Sequence, residues 1–229
     1  MRKTPFINDN FYHIYNRGTD KRNIFSDQFD IERFIESMIE FNTLKPIKSL
    51  YLLSFNENKK NKNPEDNLVE IVAYCLNPNH FHLILYQKKE GGISEFMRRL
   101  GTGYTQFFNE KNKRNGVLFQ GKFKSIHINS DNYLLHLSAY VNLNFKIHKL
   151  DQLSNPIAKL VRSSWDEYVG HNKLKDNICW KEFVLNKFKN IKEYKDFALK
   201  STIKIINKRD ISKELELESL EFEKRRKLK

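Results

Sequence analysis

Cysteine is scarce in this chain of 229 residues. There are two, Cys75 and Cys179, far apart and without a CxxC partner. That excludes a disulfide scaffold and a cysteine-based zinc site, and it fits a reducing cytoplasm. Glycine is sparse as well, at 8 residues. No run approaches the ~18 apolar residues of a membrane span, and the first ten residues, MRKTPFINDN, lack the apolar core of a signal peptide. The expectation is a soluble cytoplasmic protein with no membrane partner.

Hydrophobic residues make up 39% and aromatics 13%, with 18 Phe, which is a globular composition and not a disordered one. Lys and Arg number 41 against 28 Asp and Glu, a net charge of +13. Such a surplus attracts polyanions, because each phosphate neutralised releases a condensed counterion. Abundant Asn, Lys and Ile also fit a composition bias, so charge alone favours nucleic acid only modestly.

Residues 11–16 (FYHIYN) alternate and read as a strand ending at Arg17-Gly18. From Asp30 to Asn42 the apolar positions follow helical spacing, with Pro46 just beyond. Residues 47–55 are read as a short strand and 56–67 as a polar loop. Two further strands, 68–76 and 80–87, are joined by a tight turn at Asn77-Pro78-Asn79. A helix is expected from about Ile93 to Lys113, then a strand within VLFQGKFKSIHI. A second strong helix follows, from Asp131, read as its N-cap, to about Lys146. This order predicts an α+β domain over residues 1–150, a βαββαβ antiparallel sheet with helices on one face and a further helix appended to it. Residues 151–229 are read as a helical C-terminal extension whose charged end, EKRRKLK, is a solvated tail.

The sharpest local feature is NPNHFHLIL at 77–85. Side chains alternate along a strand, so His80 and His82 project to one face and Phe81 to the other. Two imidazoles side by side form half of a divalent metal site. H-x-H is common by chance, but apolar flanks place this pair at the edge of a buried hairpin, where free imidazoles need partners. In the later helix NYLLHLSAYVNLNFK, Tyr140 and Asn144 are four residues apart on one face. A tyrosine oxygen can attack a phosphodiester if the developing charge is stabilised. A metal on His80 and His82, with the Asn144 carbonyl as third ligand, would do that. Tyr104, in GTGYTQFF, is the runner-up nucleophile and is read as packing on its helix.

Together these segments resemble the single-tyrosine HUH (histidine–hydrophobic–histidine) transposases of the insertion-sequence type, within them the REP-associated tyrosine transposase branch. The similarity runs through FYHIYNRGTDKRNIF, VEIVAYCLNPNHFHLIL, FMRRLGTGYTQFFN, GVLFQGKFKS and YLLHLSAYVNLN to SSWDEYVG. The resemblance implies a ferredoxin-like nuclease domain, Mg²⁺ or Mn²⁺, and cleavage leaving a 5′-phosphotyrosine and a free 3′-OH. His80 and His82 fall on the HUH pair, Tyr140 on the nucleophile and Asn144 on the third ligand. Where the family segment reads Y-I-H-L-N-P, this chain has Asn142 for the His and Phe145 for the Pro, and Ala139 precedes the tyrosine in place of a frequent Arg.

Basic residues interleaved with aromatics suit single-stranded DNA, with phosphate contacts and base stacking together. Arg17, Lys21, Arg22, Arg98, Arg99, Lys122 and Lys124 form the expected DNA-binding set. The expected partner is single-stranded or hairpin DNA in the nucleoid, bound by a monomer or a homodimer. The alternative is a non-catalytic, domesticated nucleic-acid-binding protein on the same scaffold.

Overall fold

In the computed structural model, residues 5–45, 63–148, 160–170 and 177–208 are described, together with residues 50, 150, 154 and 156. The expected strand over 47–55 lies outside them except for Leu50, which is buried and helical; the tail EKRRKLK lies wholly outside.

β1 (Phe11–Arg17), β2 (Val69–Asn77), β3 (His80–Gln87), β4 (Lys124–Ile128) and β5 (Arg162–Ser163) form one sheet in the order β4-β1-β3-β2-β5. All pairings are antiparallel. The first four strands reproduce the order of a ferredoxin-like βαββαβ unit, which is the α+β class the sequence pattern predicts. Both faces of β1 are buried, with Tyr12 and Ile14 to one side and His13 to the other.

Two helices, α1 (Gln28–Glu40) and α2 (Gly92–Lys111), cover the face that carries Phe81. Phe34 of α1 packs on Phe81 and on Tyr104 of α2, with ring centroids 5.3 and 4.9 Å apart. The Asp27 side chain caps α1 by accepting from the Asp30 amide. Lys111 ties the two helices by reaching Asp27 and the buried Asp30, each at 2.6 Å.

The opposite face is covered by α3 (Asp131–Asn142). Its N-cap is Ser130, whose side chain accepts from Tyr133, and not Asp131 as the sequence suggests; Asp131 sits in the first turn. The helix does not run on to Lys146 either. It breaks at Leu143 (φ −113°, ψ 18°), and a short helix α4 (Asn144–Ile147) follows.

The described part of the C-terminal stretch adds β5 to the sheet edge, then short helices α5 (Trp165–Tyr168) and α6 (Glu182–Leu185) and a long α7 (Ile191–Lys208). α7 lies against α3 through a buried polar network. The Asn142 amide donates to Tyr194 Oη (2.8 Å), Ser138 Oγ lies 3.3 Å from the same hydroxyl, and Ser164 Oγ donates to Asn142 Oδ1. All four residues are fully buried.

A buried polar group left without its partner costs about 1–3 kcal/mol. Tyr194→Phe, which strands the Asn142 amide and keeps the ring, is therefore expected to lower unfolding free energy by that amount in urea titrations. An unchanged midpoint would show that the network adds nothing to the docking of α7.

Candidate metal and tyrosine site

The strand register sets the site out before any side chain is considered. Tyr15 and Cys75 flank His82, and Arg17 and Asn77 flank His80, on β1 and β2 respectively. Paired residues face the same side of a sheet, so these six side chains share the face that α3 covers. The turn between β2 and β3 is Pro78-Asn79, as expected, and it is held from outside. The Pro78 carbonyl accepts from Ile24 (2.7 Å) and Phe25 (3.0 Å), and the Asn79 carbonyl accepts from Gly18 (2.9 Å). At Gly18 a β-carbon would lie 2.2 Å from the Arg22 carbonyl oxygen, so the chain following β1 closes here only with glycine.

His80 is held from both ring nitrogens. Its Nδ1 is 2.7 Å from Asn79 Oδ1, and its Nε2 is 2.9 Å from Asn77 Nδ2 and 3.3 Å from Asn144 Oδ1. The Asn77 amide also donates to Asn144 Oδ1 at 2.7 Å, and Cys75 Sγ on Asn77 Oδ1 (3.6 Å) fixes which way that amide faces. His82 is buried, with Nδ1 2.9 Å from His13 Nε2, so its Nε2 is the nitrogen it can offer to a ligand. The His80 and His82 rings are perpendicular with centroids 5.2 Å apart, and His148 approaches His80 at the same distance.

Burial drives the electrostatics. Desolvation penalises the imidazolium and pushes both His13 and His80 down to about 3, with His148 and Arg17 adding repulsion at His80. His82 is held well below the ordinary range by burial, then by His13, His80 and His148. All three imidazoles are neutral at pH 7, the state in which a ring nitrogen can ligate.

Tyr140 is buried on α3, its ring 5.6 Å from that of His82 and 6.4 Å from that of His13, edge-on to both. Asn144 is fully buried beyond the break at Leu143. The structure thus brings His80, His82, Tyr140 and Asn144 together. Tyr104 is elsewhere: it is buried on the other face of the sheet and donates its hydroxyl to the Ile24 carbonyl at 2.6 Å.

The donor set fits a divalent cation. The His80 Nε2 lone pair and Asn144 Oδ1 converge on one N–H donor, the Asn77 amide, and a cation binds acceptors arranged in that way. Asn144 Nδ2 is buried and makes no hydrogen bond, so that side chain is held by its oxygen alone. Among the described residues there is no group of three or more His, Cys, Asp or Glu that could hold a metal ion.

The family model described as "Transposase IS200 like" matches residues 7–144, which include every residue just described except His148. The chain belongs to the IS200-like transposase family. A solved structure of a REP-associated tyrosine transposase bound to a REP hairpin is similar at 16% identity, over 79% of this chain and 89% of that one, with a TM-score of 0.49. No curated protein matches. Among the described residues no helix is long and apolar enough to cross a membrane.

For this family member the expected basic set divides. Arg17 lies beside His80 with its Nε on Gln120 Oε1 (2.6 Å), and Lys124 pairs with Tyr15 on the same face. Lys21 and Arg22 are exposed just after β1. Arg98 and Lys122 line a groove of about 1100 Å³ on the other side of the sheet, with Phe81 and Phe119. Arg99 is turned inward. It pairs with Glu95 (2.7 Å) and donates to the carbonyls of Thr43 (2.7 Å) and Lys45 (3.2 Å), closing the chain after α1.

Sequence reading missed His13, Asn77, Asn79 and His148. Asn77 and Asn79 were visible in NPNHFH but read only as turn formers. His13 shares the alternation of β1 with Tyr15, and nothing in that strand marks it as more than a core residue.

The depressed histidines set a pH dependence. An imidazole whose folded pKa is lowered stabilises the fold above its unfolded value near 6.5, and that contribution is lost as pH falls from there towards about 3. In chelator, unfolding free energy is expected to fall below pH 6.5, His13 contributing up to about 1.4 kcal/mol per pH unit. In His13→Phe the fall should be shallower; identical slopes would contradict the assignment.

Proposed function

We propose that this chain is a metal-dependent single-strand DNA endonuclease and strand-transferase acting through Tyr140. His80 Nε2, His82 Nε2 and Asn144 Oδ1 would hold the Mg²⁺ or Mn²⁺ ion. The observation that carries the reading is the convergence of Tyr140 with His82 and of Asn144 with His80 on one covered face of the sheet. Family membership supports it, since nucleophile and ligands all fall within the matched residues.

In this reading the Tyr140 oxygen attacks phosphorus in line with the leaving 3′ oxygen. An O–P bond to the tyrosine forms as the bond to that oxygen breaks; the phenol proton is given up to solvent and the leaving oxygen takes up one, giving a 5′-phosphotyrosine and a free 3′-OH. Attack by an incoming 3′-OH reverses the step and joins the strands. A divalent ion held by these residues would supply charge stabilisation as negative charge develops at the phosphate. Arg17 and Lys124 share the site's face and would contact the phosphates of the strand there. Lys21 and Arg22 extend that path, and Arg98 and Lys122 would take the strand on the far side. Arg99 leaves the DNA-binding set, because its guanidinium already closes the loop after α1. Tyrosine and ligands come from one chain, so a monomer carries a full set, and hairpin or repeat DNA is the substrate that the resemblance favours.

The competing reading, a nucleic-acid-binding protein without catalysis, draws on the burial of Tyr140, which is 6% exposed. One experiment separates the two. Labelled single-stranded hairpin DNA with Mn²⁺ is expected to give a covalent adduct with the parent and none with Tyr140→Phe or His82→Ala. An adduct that persists in Tyr140→Phe would move the nucleophile, and no adduct in the parent would favour binding alone.

A further inference from the structure

Asn79 stands out from the other residues around the histidine pair because its side-chain oxygen, an acceptor, lies against the Nδ1 of His80 and not the Nε2. A neutral imidazole carries one hydrogen, on Nδ1 or on Nε2, and only the bare nitrogen can ligate a cation. At His80 the neighbours pull in different directions. Asn144 Oδ1, 3.3 Å from Nε2, would draw the hydrogen to Nε2, where it blocks ligation. Asn79 Oδ1 is nearer its own nitrogen, 2.7 Å from Nδ1, and draws the hydrogen there. The Asn77 amide, 2.9 Å from Nε2, then finds a lone pair to donate to.

We propose that Asn79 is a positioning residue that holds His80 in the Nδ1–H tautomer, so that Nε2 is kept bare and aimed at the divalent cation. The inference rests on the metal reading given above. Its geometry is built into the fold: Asn79 occupies the hairpin turn, its backbone carbonyl accepts from Gly18, and its amide donates to the Lys21 carbonyl at 3.4 Å. The side chain is thus steadied by the segment that follows β1, and the ring orientation of His80 is tied to that segment. The same turn carries the Pro78 carbonyl that accepts from Ile24 and Phe25, which leaves it little freedom to rotate.

The test uses the full chain with Mn²⁺ as the probe. Affinity is followed by electron paramagnetic resonance, and the tautomer of His80 by ¹⁵N chemical shifts of the ring. Asn79→Ala is expected to weaken Mn²⁺ binding about 10–100-fold, the range for partners that orient a metal ligand, and to move hydrogen from Nδ1 to Nε2. Asn79→Asp keeps the acceptor and should retain both the parent tautomer and parent affinity or better. A purely structural role would shift the melting temperature and leave the tautomer alone. Parent affinity together with an unchanged Nδ1–H signal in Asn79→Ala would overturn the proposal. If the parent binds no Mn²⁺, the metal reading fails by itself. The ¹⁵N comparison of parent and Asn79→Ala still decides whether Asn79 sets the tautomer.

Discussion

The Asn77 side-chain amide donates to two acceptors at once, His80 Nε2 at 2.9 Å and Asn144 Oδ1 at 2.7 Å. Those two bonds join the hairpin that carries the histidines to the helix break that follows the tyrosine, across a covered face where each lost partner costs about 1–3 kcal/mol. The position of α3 on the sheet, and hence of Tyr140 beside His82, depends on them. The break at Leu143 is part of the same constraint. It starts a new helix at Asn144 and turns that side chain to the sheet, while Tyr140 stays one turn back on α3.

The second support of α3 comes from beyond the residues that the family model matches. Asn142 stands where the resembled segment has histidine, and in this chain it joins Tyr194 of α7 to Ser164 next to β5. This departure from the family segment is, in the fold, the anchor for the C-terminal helix. The tyrosine helix is thereby held between the sheet and α7. Phe145, in place of proline, has a backbone N–H, which points to the buried Cys75 sulfur on β2.

Much of this was legible in the residues. Alternation in FYHIYN and HFHLILYQ, the stripe from Ile93 to Phe108 and the Pro78-Asn79 turn each encode their element locally, and the βαββαβ order fixes which strands pair. His80 and His82 follow from a two-residue period, and Tyr140 with Asn144 from a helical one. Four features were not legible because they are made by tertiary contact. Ser130 takes the cap from Asp131, and the helix stops at Leu143 with no glycine or proline to announce it. Arg99, on an exposed-looking basic pair, is claimed by carbonyls some fifty residues earlier in the chain. His13 acquires its meaning only from a ring 69 residues away.

The central claim is that one divalent ion binds at the meeting point of His80, His82 and Asn144 on the tyrosine's face of the sheet. Anomalous diffraction from a crystal of this protein equilibrated with Mn²⁺ tests that most directly. The account predicts one strong peak at roughly 2.0–2.3 Å from His80 Nε2, His82 Nε2 and Asn144 Oδ1, the range of nitrogen and oxygen ligands to such ions. A peak found only at surface carboxylates, with the Asn77 amide still bridging His80 and Asn144, would contradict it.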